Sequence, residues 1–421
     1  MSETGQDVWY SWNDASTEHA AEHDGHEEHG GAGGTGLVFD ETLRDGLQAP
    51  HVRNPTPEQK LGFLEHMVRS GIRCADLGFP GSDPAAAEEC TALARHIATA
   101  GLDLVPGFAG RTHPADIGAI CEMGQRAGIG VEAYAFIGVS PIRQYVEDWD
   151  PGLIERAIRT AAAECARGGA EFVLVLEDTV RCTPQVLAGV YDVAVETGVR
   201  RLTLCDTVGA AVPRGTAALI RWTRRYFAER GHTVDLEWHG HNDRGLALVN
   251  SLVALSLGCA RVHGTVLGVG ERAGNASLDQ IIVNHRLNDG HPYDLRALRG
   301  YVEHAAPLLG VEIPRNYPGM GRDVFKTSAG VHASAILKAH RKGDEALKDG
   351  VYAGVPARLL GREQEVLVDA ASGASSVKYW LTTHGYPAED SDVVKRVLEL
   401  AKTRRTPLTD EEIGRVIATG H

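Results

Sequence analysis

Short apolar runs and longer stretches of helical periodicity alternate along most of the chain, beginning at residue 37. The apolar runs predict strands at 37–40, 72–79, 103–106, 131–137, 171–176, 201–205, 234–239 and 261–265. The periodic stretches predict helices at 57–70, 84–100, 114–127, 151–168, 184–197, 214–229, 245–257 and 276–286. Two helices begin with proline directly after a capping residue, at Thr56-Pro57 and Asp83-Pro84. The pattern therefore predicts a series of strands, each followed by a helix.

Strict alternation of this kind requires parallel strands, and eight such units within about 250 residues are typical of a closed (βα)8 TIM barrel. An open doubly wound sheet is the alternative, but its dinucleotide-binding form would carry G-x-G-x-x-G after the first strand. Residues 41–46 read ETLRDG there instead. After residue 290 the pattern changes to a linker and further helical segments. We therefore predict an α/β fold, with a catalytic barrel at 37–290 and helical C-terminal subdomains at 291–421.

Charge is distributed unevenly along the 421 residues, which carry a net charge of −14. Residues 1–36 contain eight acidic residues and no Lys or Arg, so the rest of the chain carries only −6. Low apolar content, charge and glycine predict that residues 1–36 are a disordered, solubilising tail. Weak metal capture by its histidines is the alternative, and Trp9, Tyr10 and Trp12 leave room for a short docked segment.

Several classes of protein are excluded by composition. No apolar run is long enough for a membrane span, and no basic segment followed by an apolar one indicates a signal peptide. The acidic balance argues against a nucleic-acid binder. Seven cysteines form no C-x-x-C pair, which indicates buried free thiols in a reducing compartment. We therefore expect a cytoplasmic enzyme without membrane or nucleic-acid partners.

Polar side chains follow nearly every predicted strand, at the end where barrel enzymes place their chemistry. His239 and His241 are two residues apart on one strand, so both imidazoles point the same way. Asp45 arrives from the first strand, which neighbours the last in a closed barrel. Two nitrogens and one carboxylate suit Zn²⁺, Mn²⁺, Co²⁺ or Mg²⁺ and leave positions open for substrate. The alternative is a polar strand end that is hydrogen-bonded to loops.

Other polar residues at these strand ends have both functional and structural interpretations. Arg44 could be a structural partner of Asp76 or Glu177, but two arginines that face a metal pocket suit an anionic substrate better. Asp206-Thr207 could simply cap the following helix. Glu271 and Arg272 could pair with each other and so hold the glycine-rich loop.

Six motifs occur in order: residues 40–48 (DETLRDGLQ), 77–80 (LGFP), 177–181 (EDTVR), 206–209 (DTVG), 239–243 (HGHND) and 268–275 (GVGERAGN). Together they resemble the metal-dependent, acyl-CoA-condensing (DRE-type) TIM barrels, which include isopropylmalate, homocitrate and citramalate synthases. HMG-CoA lyase is a more distant relative. The resemblance covers about residues 37–370. It implies condensation of acetyl-CoA with a 2-oxo acid to give a 2-hydroxy acid and CoA.

The resemblance also implies roles for particular residues. Asp45, His239 and His241 would hold the metal with Asn275 beside them, and Arg44 would polarise the oxo group. The remaining substrate contacts would come from Gln48, Asp76, Arg111, Ser140, Arg143, Glu177 and Thr207. Residues 328–333 (SAGVHA) resemble the segment that sends a histidine, here His332, into the active site of a partner subunit. Tyr352 lies in the tyrosine segment that follows, so a homodimer is implied.

Two departures from the family pattern bear on specificity. Asp76 stands where the family usually has glutamate, which leaves its contact with Arg44 open. Arg143 stands where isopropylmalate-type members tend to have histidine, and this favours an acceptor with a second anionic group. 2-Oxoglutarate, oxaloacetate and phosphonopyruvate qualify, giving homocitrate-, citrate- or phosphonomethylmalate-like products. The alternatives are a surface arginine in an isopropylmalate- or citramalate-type synthase, and a lyase like HMG-CoA lyase.

Overall fold

The computed structural model describes residues 10–13, 36–150, 152–288 and 290–419. The chain forms two compact units that divide between Glu312 and Ile313. The sequence analysis places its boundary at 290/291, where the strand and helix alternation ends. The difference arises because the helix Leu295–Leu309 packs against Pro57–Ser70 of the first unit. Apart from residues 10–13 and 36, the predicted disordered tail lies outside the described residues.

The first unit is a closed parallel barrel of eight strands in sequential order. The strands are β1 (Leu37–Asp40), β2 (Cys74–Asp76), β3 (Val105–Arg111), β4 (Glu132–Gly138), β5 (Glu171–Glu177), β6 (Arg201–Asp206), β7 (Asp235–Gly240) and β8 (Arg261–Gly264). The barrel closes where β1 pairs with β8 in parallel, with Phe39 opposite His263. The predicted (βα)8 TIM barrel is confirmed.

Ten α-helices accompany these strands. They are α1 (Pro57–Ser70), α2 (Pro84–Ala100), α3 (Pro114–Ala127), α4 (Pro141–Val146), α5 (Leu153–Gly168), α6 (Pro184–Glu196), α7 (Pro213–Glu229), α8 (Ala247–Ser256), α9 (Leu278–Asn288) and α10 (Leu295–Leu309). Short 3-10 turns cover Gly46–Gln48, Thr179–Arg181 and Val266–Gly268. Proline stands in the first turn of six of these helices, where no backbone N–H is needed. Thr56 also forms a reciprocal capping box with Gln59.

Strand β3 is longer than the sequence predicts. The residues Pro106, Gly107 and Gly110 are typical of a loop, which is why the predicted strand stops at 106. In the structure a Cβ on Gly107 would lie 2.8 Å from the Tyr134 ring, and one on Gly110 would lie 3.0 Å from Ile120. These glycines therefore belong to a strand that is crowded on both faces.

The interior of the barrel contains a buried network of charged side chains. Arg261 of β8 donates to Glu132 of β4 at 2.5 and 3.0 Å, and to the hydroxyl of Tyr134 at 2.6 Å. Arg201 of β6 also pairs with Glu132. His263 joins Glu237 of β7 at 2.9 Å. The side chains of four strands are thus linked by ion pairs in the space that barrels usually fill with apolar residues.

The second unit is helical, with α11 (Gly330–Arg341), α12 (Glu345–Gly350), α13 (Ala374–Thr383), α14 (Ser391–Lys402) and α15 (Asp410–Ala418). A 3-10 turn covers Ala357–Leu360. The strands β9 (Lys326–Thr327) and β10 (Glu365–Val366) form a short parallel pair. Apolar side chains of α13, α14 and α15 form one core around Leu381, Val397 and Ile413. A helical appendage is therefore present, as predicted.

All seven cysteines are buried and free, as the sequence predicts. Among the described residues, no helix is both long enough and apolar enough to cross a membrane.

Candidate metal centre and active site

Asp45, His239 and His241 meet at the carboxyl ends of β1 and β7. The Nε2 atoms of His239 and His241 lie 3.7 and 3.6 Å from Oδ2 of Asp45. These separations are too long for hydrogen bonds. They suit three ligand atoms that share one cation at about 2.1 Å each. All three side chains are buried, and together they form one of two groups among the described residues with metal-binding geometry.

The surroundings of these ligands fit a divalent cation. Nδ1 of His239 lies 2.7 Å from Oε2 of Glu41, so only its Nε2 faces Asp45. Burial, followed by the charge of His239, lowers the pKa of His241 to about 4, so its imidazole is neutral at pH 7 as a metal ligand must be. Within the described chain, Oδ1 of Asn275 is buried without a hydrogen-bond partner. Nδ2 of Asn275 donates to Oδ2 of Asp45 at 2.6 Å, which places Asn275 beside the ligands.

The second group with metal-binding geometry, Glu41, His239 and His263, has a different role. Both ring nitrogens of His263 are engaged, with Glu41 and Glu237 at 2.9 Å each. Burial opposes the charge of His263, but the carboxylate of Glu41 and that of Glu237 outweigh it and raise its pKa to about 9. His263 is therefore a cation that holds Glu41 against His239, and it has no nitrogen free for a metal.

Arg44 is bound by three carboxylates at the edge of the same site. Its guanidinium donates to Asp76 and Asp45 at 2.7 Å each and to Glu41 at 2.9 Å. The side chain of Asp76, although one methylene shorter than that of glutamate, thus still reaches Arg44. Burial raises the pKa of Asp76 to about 6, although Arg44 opposes this shift. The pairing of Arg44 with Asp76 is therefore present and fixes Arg44 at the cavity, while its contact with substrate stays a prediction.

A cavity of about 220 Å³ contains these residues. Gln48, Glu177, Thr207, Glu271 and Arg272 also line it. Part of the wall is apolar and is formed by Phe79, Ala109, Tyr134, Phe136 and Val175. The cavity therefore combines a charged end with an apolar wall.

Glu177 and Thr207 lie on neighbouring loops. Burial raises the pKa of Glu177 above its usual range, with Arg143 opposing the shift. The hydroxyl of Thr207 accepts a hydrogen bond from the backbone N–H of Asp178 at 2.8 Å. The carboxylate of Asp206 accepts from Ala210 N and Ala211 N and so holds the loop before α7, but it does not cap that helix, whose N-cap residue is Val212.

Three predicted substrate residues do not line the cavity. Arg111 donates twice to Asp116, at 2.7 and 2.9 Å, and so is held at the start of α3. Ser140 is buried, where it donates to Asp178 at 2.6 Å and accepts from the backbone of Arg143. The half-exposed Arg143 pairs with Glu147 at 3.0 Å. Their predicted contact with substrate stays a prediction.

His332 and Tyr352 lie together in the second unit. Their ring centroids are 4.0 Å apart, and Nδ1 of His332 is 3.4 Å from the hydroxyl of Thr327. Tyr352 is half exposed. The structure thus brings these two predicted catalytic residues together with each other, and their role at the barrel stays a prediction.

The sequence analysis missed Glu41, His263 and the apolar wall. Glu41 is part of the DETLRDGLQ motif. An acidic residue three positions before Arg44 was the feature of the sequence that could have identified it. His263 lies mid-strand in RVHG, where alternation points it inward, but a lone histidine on a strand carries little signal. Glu271 and Arg272 do contact each other, at 3.6 Å, and Arg272 also pairs with Asp243 at 2.8 Å.

A closed (βα)8 barrel with two histidines and an aspartate at its mouth is the architecture of a metal-site TIM-barrel enzyme. The HMGL-like family model matches residues 37–301, and the chain belongs to this family. The resemblance seen in the motifs is thereby confirmed.

Relatives and solved structures agree with this placement. A probable 2-isopropylmalate synthase of Ignicoccus hospitalis is 30% identical over 87% of this chain and 86% of its own length. A homocitrate synthase of Pyrococcus abyssi is 29% identical over 90% of this chain and 98% of its own length. In fold, the chain is similar to a Bacillus subtilis HMG-CoA lyase, with a TM-score of 0.55 and 20% identity over 66% of this chain and 96% of that one.

Proposed function

We propose that this protein is an acyltransferase that condenses acetyl-CoA with a 2-oxo acid and releases CoA and a 2-hydroxy acid. The observation that carries this proposal is the meeting of Asp45, His239 and His241 beside Arg44 in one buried cavity. The relatives named as 2-isopropylmalate, homocitrate and citramalate synthases support it.

The chemistry divides among the residues of the cavity. A divalent cation held by Asp45, His239 and His241 would polarise the carbonyl of the oxo acid as a Lewis acid. Arg44, fixed by its three carboxylates, donates toward the oxygen that becomes negative as the new carbon–carbon bond forms. Water then cleaves the thioester, which frees the thiol of CoA.

A base is required to take a proton from the methyl group of acetyl-CoA. By family resemblance this base is His332, with Tyr352 stacked against its ring. The imidazole accepts the methyl proton, the resulting carbanion attacks the oxo carbon, and the new alkoxide is protonated. Glu177 lines the cavity and its pKa is raised by burial, so its carboxyl group would supply the proton that the alkoxide takes.

The class of acceptor depends on Arg143, because the other candidate arginine, Arg111, is already paired with a buried carboxylate. Arg111 is fixed by paired hydrogen bonds to the buried Asp116. Among the described residues, the ion pair of Arg143 is with the exposed Glu147, and an exposed pair of this kind contributes about 0.3–0.5 kcal/mol. A distal substrate anion could displace Glu147 easily, and Arg143 lies close enough to Glu177 to affect its pKa. We therefore propose an acceptor with a second anionic group, such as 2-oxoglutarate, oxaloacetate or phosphonopyruvate.

The apolar wall of Phe79, Ala109, Phe136 and Val175 supports a second candidate. A branched aliphatic oxo acid could place its side chain against this wall, as the substrate of an isopropylmalate-type synthase would. This candidate predicts the same reaction on a different acceptor.

The test is thiol release from acetyl-CoA in the presence of a divalent cation and a panel of 2-oxo acids. We expect thiol release with at least one acceptor, and no release with any of them would refute the proposal. Arg143→Gln is expected to raise KM for a dianionic acceptor by about tenfold, the value of one charged contact. Arg111→Gln is the matched control. Activity confined to 2-oxoisovalerate would favour the apolar-wall candidate.

A further inference from the structure

Residues 10–13, which we call the N-terminal docked segment, pack against two loops at the carboxyl ends of β5 and β6. Trp12 is completely buried. Its backbone N–H donates to the carbonyl of Val180 at 3.1 Å, and its Nε1 donates to that of Cys182 at 3.0 Å. The indole also lies 5.4 Å from the ring of Trp222 on α7. A buried tryptophan with its N–H satisfied is a specific anchor.

Asn13 satisfies the backbone N–H of Val212, the residue directly before α7. The N-cap residue of α7 is Val212, which has no side-chain oxygen to offer. Oδ1 of Asn13 accepts the N–H of Val212 at 2.8 Å, and its Nδ2 donates to Ala210 O at 2.7 Å. Arg214 donates to the carbonyl of Asn13 at 2.7 Å. A Cβ on Gly215 would lie 2.5 Å from Oδ1 of Asn13, so only glycine allows this approach.

The docked segment contacts two loops. One loop follows Glu177, and the other contains Thr207. They are joined by the hydrogen bond from Asp178 N to the Thr207 hydroxyl at 2.8 Å. The hydroxyl of Thr179 accepts from Cys205 N at 3.1 Å and so ties the first loop to β6. One face of this pair of loops lines the cavity, and the docked segment binds another.

We propose that Trp12 and Asn13 are positioning residues, which hold the two loops so that Glu177 and Thr207 keep their places in the cavity. This inference deepens the proposed function and rests on it for the roles of Glu177 and Thr207. The physical basis is the sensitivity of catalysis to placement, since a displacement of about 1 Å can lower a rate by about 100-fold. The proposed metal ligands lie at the carboxyl ends of β1 and β7, and the docked segment makes no hydrogen bond to them among the described contacts.

The test uses Trp12→Ala, Asn13→Ala and Asn13→Asp in the full chain. Aspartate keeps the oxygen that accepts from Val212 N but replaces the amide that donates to Ala210 O with a second acceptor, so Asn13→Asp separates the two hydrogen bonds. Asp294→Ala is the matched control, because it removes side-chain hydrogen bonds at the start of another helix, α10, where Asp294 accepts from Arg296 N and Ala297 N. Amide hydrogen exchange of residues 178–182 and 207–212, cation affinity, and kcat and KM for the 2-oxo acid are measured.

We expect Trp12→Ala and Asn13→Ala to speed exchange in both loops by about tenfold and to lower kcat/KM by about 10- to 100-fold. Cation affinity should not change, and Asn13→Asp should have an intermediate effect, because it keeps the hydrogen bond from Val212 N and loses the one to Ala210 O. Faster exchange with unchanged kcat/KM would overturn the positioning role. Unchanged exchange, or an equal effect of Asp294→Ala, would overturn the docking itself. If the wild-type chain released no thiol with any oxo acid, the proposed function would fail, and exchange alone would still decide whether the segment holds the loops.

Discussion

His239 can present only its Nε2 to a cation, because its Nδ1 is engaged by Glu41. Glu41 is in turn held by Arg44 at 2.9 Å and by the imidazolium of His263 at 2.9 Å. A carboxylate in this position fixes both the tautomer and the ring orientation of a metal-binding histidine. The ligand set is therefore preorganised by residues that do not touch the cation.

Replacing Glu41 tests this arrangement. We expect Glu41→Gln to weaken divalent cation binding by about 10- to 100-fold, because the neutral amide holds His239 less firmly. Titration calorimetry on metal-stripped protein measures the affinity. Glu271→Gln is the control, since Glu271 lines the same cavity and pairs with Arg272 at 3.6 Å. Equal affinities of Glu41→Gln and wild type would show that Glu41 does not orient the ligand.

Asp40, at the end of β1, makes stability depend on pH. Burial raises its pKa to about 6, although Thr42 and Tyr301 donate to it. Because the folded state binds this proton more tightly than the unfolded state, the contribution is present below pH 4 and is lost as pH rises through 6. Relative to Asp40→Asn, the free energy of unfolding of wild type should fall by roughly 3 kcal/mol from below pH 4 to pH 7. Urea denaturation at several pH values measures this difference, and a pH-independent difference would contradict it.

The strands of the barrel are joined by charge as well as by backbone hydrogen bonds. Glu132 of β4 pairs with Arg201 of β6 and Arg261 of β8, and Arg261 lies 3.6 Å from Glu237 of β7. All these side chains are largely buried. Removing one member leaves an uncompensated charge in the interior, which costs more than the pairing itself contributes.

Arg261→Met should therefore lower the free energy of unfolding by about 3–5 kcal/mol. Arg69→Met is the matched control, because Arg69 pairs with Glu65 in an exposed i,i+4 arrangement on α1. It should cost no more than about 0.5 kcal/mol. Chemical denaturation of both variants gives the comparison. Similar losses would mean that the interior network does not hold the strands together.

Helix positions could be predicted from the sequence because their start signals are local. Pro57, Pro84 and Pro114 each stand at the predicted and observed first helical residue. The end of β3 could not be predicted, since Gly107 leaves room for the rings of Tyr134 and Phe39 on neighbouring strands and Gly110 leaves room for the following helix. The meeting of His239 and His241 could be predicted from their H-x-H spacing, whereas the contacts of His263 could not, because its partners Glu41 and Glu237 come from distant parts of the chain.

At the scale of the molecule, the chain is two units, and the predicted catalytic residues are divided between them. Asp45, His239 and His241 lie in the first, and His332 and Tyr352 lie in the second. Family resemblance predicts that His332 serves the barrel of a partner subunit. This arrangement makes each active site depend on two copies of the chain.

Mixing two inactive variants tests that dependence. His332→Ala lacks the base and Asp45→Asn lacks a metal ligand, so each alone should release little thiol. If His332 acts across a dimer, subunit exchange creates mixed dimers with one complete site, and about a quarter of wild-type activity returns. If mass spectrometry shows that the subunits have exchanged and no activity returns, His332 acts within its own chain.

The proposed metal-dependent reaction is tested most directly by measuring condensation by the wild-type chain with and without a cation. Protein stripped of metal is titrated with Mn²⁺ or Zn²⁺ in the presence of acetyl-CoA and the preferred 2-oxo acid, while free thiol is followed. We expect no thiol release without metal and full release at about one cation per chain. We also expect the His241→Ala variant to bind the cation far more weakly. Full activity after stripping, or a His241→Ala variant with wild-type affinity and rate, would contradict the proposed reaction.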